Sequence, residues 1–98
     1  MIPVVVSAEA EADIEEIGEF IAQDNPDRAV TFVTELRAKA LAVRHYPNAY
    51  PSRDDLRPGM RVAIYGRYNI YFEIFPTEVV IARVVHSARD QRGIFGIE

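Results

Sequence analysis

Val79-Val80-Ile81-Ala82-Arg83-Val84-Val85-His86-Ser87-Ala88-Arg89-Asp90 is an apolar run that ends in a cluster of ionisable groups. From Val79 to Val85 only Arg83 is polar, and β-branched residues dominate. Such a run reads as a strand covered by other structure. An unpaired guanidinium is costly to bury, so Arg83 is expected to face outward, with Ala82 and Val84 turned toward the rest of the core. A well-supported strand running into polar residues is a common way to present a functional surface.

Moving upstream, Pro76-Thr77 turns the chain out of a second strand, Tyr68 to Phe75, whose residues alternate. Ile70, Phe72 and Ile74 share one face, and Tyr71, Glu73 and Phe75 the other. Gly66-Arg67 is a short hairpin turn. Before it, Arg61 to Tyr65 alternates again, Val62 and Ile64 opposing Arg61, Ala63 and Tyr65. Residues 47–60 hold three prolines and a glycine and read as an ordered loop. Two helices precede it. The first spans about Ala8 to Gln23, with Ser7 as N-cap, Glu9 and Glu11 in the first turn, and Ala10, Ile14, Ile17 and Ile21 on one face. Its carboxylates Glu11, Asp13, Glu15, Glu16 and Glu19 read as a solvated face. The second spans about Pro26 to His45, with Asn25 as N-cap and Pro26 at the first helical position. So short a connection makes the two an antiparallel hairpin. Ile-Pro-Val-Val-Val at residues 2–6 is a short strand. The expected layout is α+β: an N-terminal strand, a helical hairpin, then a three-stranded antiparallel meander (β-α-α-β-β-β).

The 98 residues make one domain, 1–98. There is no cysteine, so disulfides and thiol chemistry are excluded and a cytoplasmic location is expected. No run approaches the roughly 20 apolar residues of a membrane span, and the N-terminus has no signal-peptide pattern. Net charge is −4, which argues against direct binding of long nucleic acid. The charge is uneven. Residues 1–52 carry four basic and nine acidic groups, whereas residues 53–98 carry seven arginines against six acids. His45 and His86 are far apart in sequence, so no metal site is expected, nor any cofactor: there is no glycine-rich phosphate loop.

Several stretches, in this order, resemble the RelE/ParE superfamily of toxins from bacterial type II toxin–antitoxin systems, and within it the ParE branch. They are Ser7-Ala8-Glu9-Ala10-Glu11-Ala12-Asp13-Ile14-Glu15-Glu16-Ile17, Asn25-Pro26, Leu56-Arg57-Pro58-Gly59-Met60-Arg61, Tyr68-Asn69-Ile70-Tyr71-Phe72 and Arg83-Val84-Val85-His86-Ser87-Ala88-Arg89-Asp90. The resemblance implies growth inhibition, with plasmid or chromosomal stabilisation, and a co-encoded antitoxin that wraps the toxin. For the ParE branch it implies inhibition of DNA gyrase and a ParD-like, ribbon-helix-helix antitoxin. For the RelE branch it implies metal-independent cleavage of messenger RNA on the ribosome.

The residues bear on that choice. RNA cleavage needs a group to activate the 2′-hydroxyl, a cation for the developing phosphorane and a donor for the leaving oxygen. Arg61 and Arg83 are the candidate cations and His86 the candidate acid or base, assisted by Tyr65 or Tyr71. The only lysine is Lys39, on a helix, so the sheet lacks the lysines of the RelE pattern. The gyrase reading needs no catalytic residue, only a binding surface, for which Arg83, Arg89, Arg92 and Phe95 are the candidates. For the antitoxin the candidates lie on the hairpin: Ile14, Ile17, Gly18, Ile21, Val33 and Leu36, with an extended segment reaching the sheet edge.

Overall fold

A computed structural model describes residues 2–98. It has the expected α+β layout. Ser7 ends a first strand, Val4–Val6 (β1), and caps a first helix, Ala8–Ala22 (α1): its Oγ accepts the Ala10 N–H at 3.0 Å. Asn25 Oδ1 accepts the Arg28 N–H at 3.1 Å at the start of the second helix, Pro26–Ala42 (α2). Each such cap satisfies an amide that the helix itself leaves unpaired, at about 1 kcal/mol. The α-helix stops at Ala42 rather than at His45. Val43, Arg44 and His45 continue in tighter i→i−3 bonds to Ala40, Leu41 and Ala42, which is why the apolar spacing persists past the helix end.

Strands Met60–Tyr65 (β2), Tyr68–Ile74 (β3) and Val79–His86 (β4) form the meander. The sheet order is β1-β4-β3-β2, with β1 parallel to β4 and the other pairs antiparallel. The strand with the densest apolar run is therefore an interior one.

A bulge in β4 corrects the expected facing. Tyr71 pairs with Arg83, and Phe72 pairs with Ile81, so Ala82 is the extra residue. Such a residue reverses the alternation beyond it. Val79 and Ile81 before the bulge, and Val84 after it, all pack in the helix-side core with Ile14, Leu36 and Phe72. Ala82 lies instead with the outer-face cluster of Leu56, Met60, Val62, Tyr71 and Val85. Arg83 is not free in solvent: its side chain is only 25% exposed and is bound to α1.

The two faces are covered differently. Helices α1 and α2 cover one. On the other, Leu56 from the 47–59 loop and Ile94, Phe95 and Ile97 from the tail form the lid. The tail begins with a single helical turn, Gln91–Ile94 (α3), capped by Asp90.

Candidate functional site

Strand β1 covers only Val79–Ile81 of β4, so the rest of that edge needs other partners. The start of α1 supplies them. The Ser7 N–H donates to Ile81 O at 3.0 Å and Ser7 Oγ donates to Ala82 O at 3.0 Å. The Val84 N–H donates to Asp13 Oδ2 at 2.9 Å. The same carboxylate accepts Arg83 Nε at 2.8 Å and Nη2 at 2.9 Å. This fork geometry is the strong form of a carboxylate–guanidinium contact, and it raises the Arg83 pKa above its ordinary value. Asp13 is 8% exposed. It was expected on the solvated face, but with Ala10, Ile14 and Ile17 it falls at the i, i+3, i+4, i+7 spacing of the buried face. That spacing was the available signal.

Past Asp13 the edge is open, and a pocket of about 340 Å³ lies between α1 and the end of β4. Ile17 and Phe20 form one wall, Tyr68 and His86 the other, and Glu16 and Arg89 stand at the rim. Tyr68 and His86 meet edge to face at 5.2 Å. His86 Nδ1 accepts the Ala88 N–H at 3.0 Å, which leaves the neutral ring's proton on Nε2.

Beyond Tyr68 the aromatic row continues through Phe32 to Tyr65. The Tyr65 hydroxyl donates to Glu35, whose carboxylate also takes Arg28 at 2.8 Å. Those two hydrogen bonds, Arg28's first, hold the Glu35 carboxyl below its usual range. The bond to Glu35, with desolvation adding to it, pushes the Tyr65 phenol up.

The residues proposed for RNA cleavage do not converge. Arg61 Nη1 donates to the Tyr50 carbonyl at 2.7 Å, Arg83 is held by Asp13, and His86 stands against Tyr68. Arg61 is on β2 and the other two are on β4, with β3 between them, so the strands lie about 10 Å apart. Glu73 on β3 is paired with Arg57 of the preceding loop, at 2.9 Å.

Of the proposed target surface, Arg89 and Arg92 are exposed, Arg83 and Phe95 half-buried. Phe95 packs edge to face on Tyr71 at 5.1 Å, with the Arg57 guanidinium over the Phe95 ring at 5.4 Å. The Tyr71 hydroxyl donates to Gln91 Oε1 at 2.6 Å, and Gln91 Nε2 donates back to the His86 and Arg89 carbonyls. Gln91 thus pins the tail to the sheet, a role with no motif in the sequence.

On the helical hairpin, Ile14, Ile17 and Leu36 are buried. A Cβ built on Gly18 would stand 3.1 Å from Val33 Cγ2, so Gly18 sets the close approach of the helices. Ile21 and Val33 are half-exposed. The exposed apolar groups there are Phe20, Val30 and Leu41. Among the described residues no group of three or more His, Asp or Glu could hold a metal ion, and no helix is long and apolar enough to cross a membrane.

Comparison with known proteins decides the family. The model of the ParE toxin of type II toxin–antitoxin systems, parDE, matches residues 4–91. The chain belongs to this family. In fold, this ParE-family chain is similar to a solved chain of the chromosomal ParDE toxin–antitoxin system from P. aeruginosa. The TM-score is 0.77 at 19% identity, over 88% of this chain and 96% of that one. A comparison with curated proteins gave no match.

Proposed function

We propose that this chain inhibits DNA gyrase by binding it, and that a ParD-like antitoxin of the ribbon-helix-helix class neutralises it in the cytoplasm. Family membership carries the toxin role. The observation that favours gyrase over messenger RNA is the state of the three candidate catalytic groups. Both cations are already spent on protein acceptors, Arg61 on the Tyr50 carbonyl and Arg83 on Asp13. A cation that stabilises a phosphorane must be aimed at the reacting phosphate. Re-aiming Arg83 would strand the Asp13 carboxylate, which is nearly buried.

On this reading Arg89 and Arg92, with the remaining free edge of Arg83 and the rim of Phe95, face gyrase. The antitoxin lays a helix on the hairpin, where Phe20, Val30 and Leu41 are the exposed apolar contacts and Ile21 and Val33 the half-exposed ones. Ile14, Ile17, Gly18 and Leu36 shape that surface from beneath. A supercoiling assay with purified gyrase tests the target: added chain should abolish supercoiling, and an unchanged rate at saturating chain overturns the reading. New cuts in messenger RNA in a translation extract, lost in His86→Ala, would establish the endoribonuclease alternative.

A further inference from the structure

We propose that the pocket between α1 and the end of β4 anchors a basic, extended segment of a partner protein. One bulky apolar side chain fills the pocket, and the segment's backbone pairs with the β4 edge at Val84–His86. The inference rests on the reading that an antitoxin covers this chain, and it names where and by what chemistry.

Three independent features meet there. The first is backbone. The Val84 N–H points away from β3, since it donates to Asp13. In an antiparallel strand both backbone groups of a residue point to the same side, alternating along the chain. The Val84 carbonyl and the His86 N–H therefore face the open edge, while Ser87 N turns back to the Arg67 carbonyl at 2.7 Å. Unpaired edge groups of this kind are what a strand from a partner takes up.

The second is the apolar wall. Phe20 is 69% exposed on α1, directly beside the edge, and Ile17, Tyr68 and Val84 complete the pocket. A bulky aliphatic or aromatic side chain fits the 340 Å³ available.

The third is charge. Helix α1 has six carboxylates and no basic residue. Arg37 pairs with Glu11 and Arg83 with Asp13. Glu9, Glu15, Glu16 and Glu19 have no salt bridge among the described residues, and Glu16 stands on the pocket rim. In a strand, residues two apart share a face, so a partner residue two places from the anchor reaches this rim and is expected to be Lys or Arg. Arg89 stands on the sheet-side rim, so the partner's basic residue is directed to the α1 side, toward Glu16.

The test uses the full chain and a synthetic peptide, acetyl-Arg-Thr-Leu-Thr-Arg-Thr-amide, followed by ¹⁵N NMR. The expected result is amide shifts centred on Phe20, Val84 and His86, with slowed exchange at His86. Glu16→Lys should weaken binding at least about tenfold by reversing the rim charge. Phe20→Ala, a change at an exposed site, should weaken it with the fold intact. A peptide with Glu in place of both Arg should not bind. Absent binding, shifts on α2 or on the outer sheet face, equal binding of the acidic peptide, or self-association of the chain through Phe20 each overturn the proposal. A chain that binds the peptide here but leaves supercoiling unchanged fails only the gyrase reading. A chain that inhibits gyrase but does not bind the peptide here fails only this one.

Discussion

Tyr71 and Phe72 are neighbours in β3, and both are 0% exposed, yet different parts of the chain bury them. Phe72 faces the helices, in one core with Ile14, Leu36, Val79 and Ile81, and meets Tyr50 edge to face at 5.5 Å. Tyr71 faces the other way, under Phe95 and Gln91 of the tail and Arg53 of the loop. The helix-side core is made by long elements that must be present for any sheet to persist. The outer core is made by a short tail, held by a few aromatic contacts and one side-chain bridge. One sheet therefore carries a permanent face and a face that can open locally.

The sharpest way to break this contrast is Phe72→Ala. Removing a buried aromatic ring should cost about 3–5 kcal/mol, seen as a large fall in the urea midpoint of the whole chain. Next is Asp13→Ala, which leaves Arg83 and the Val84 amide unpaired. Losing one partner of such a pair should cost about 3 kcal/mol, with amide exchange at Val84 rising before global unfolding. Tyr71→Phe tests the other face. It removes only the hydroxyl that Gln91 accepts, at about 1 kcal/mol. Exchange at Ile94 and Ile97 should rise while the helix-side amides stay protected. If all amides loosen together, the two faces are one cooperative unit. The smallest effect belongs to Glu35→Gln. Arg28 and Tyr65 hold the folded Glu35 carboxyl below its unfolded value. Its contribution is thus present above about pH 4.3 and is lost as pH falls through the folded value. The acid limb of stability against pH should be flatter in Glu35→Gln, with the variant slightly less stable near neutrality and the two curves converging in acid.

The helices and their caps were legible because the cues are local: Ser7, Asn25-Pro26 and apolar residues at helical spacing. So were β2, β3 and the Gly66-Arg67 turn, where polar and apolar residues alternate. Strand β4 was found, but its facing was right only past the bulge, at Arg83 and Val84, and not at Ala82 or before it. Both of its residue sets are apolar, and a bulge leaves no mark in such a run. Arg83 does lie on the outer face, opposite Tyr71, but its ion pair was not legible. Its partner lies 70 positions away, and periodicity can place a charge on a face without saying what meets it. The tail's packing on Tyr71 has the same origin: Gln91 acts through a tertiary contact. The open β4 edge follows from β1 being only three residues long, a length that no cue before Ser7 could set apart from a strand covering all of β4.

The pairing of β1 with β4 also bears on when the protein can exist at all. Ser7 bonds to Ala82 across 75 positions of chain. At roughly 5–20 residues per second, the ribosome needs about 4–15 s between making the first strand and making the strand it joins. Throughout that interval the N-terminal strand has no partner, and the helical hairpin has at most the β2–β3 pair to cover. The harmful form of this chain is therefore the last thing its synthesis completes, and a neutralising protein already in the cell has the whole interval in which to be waiting.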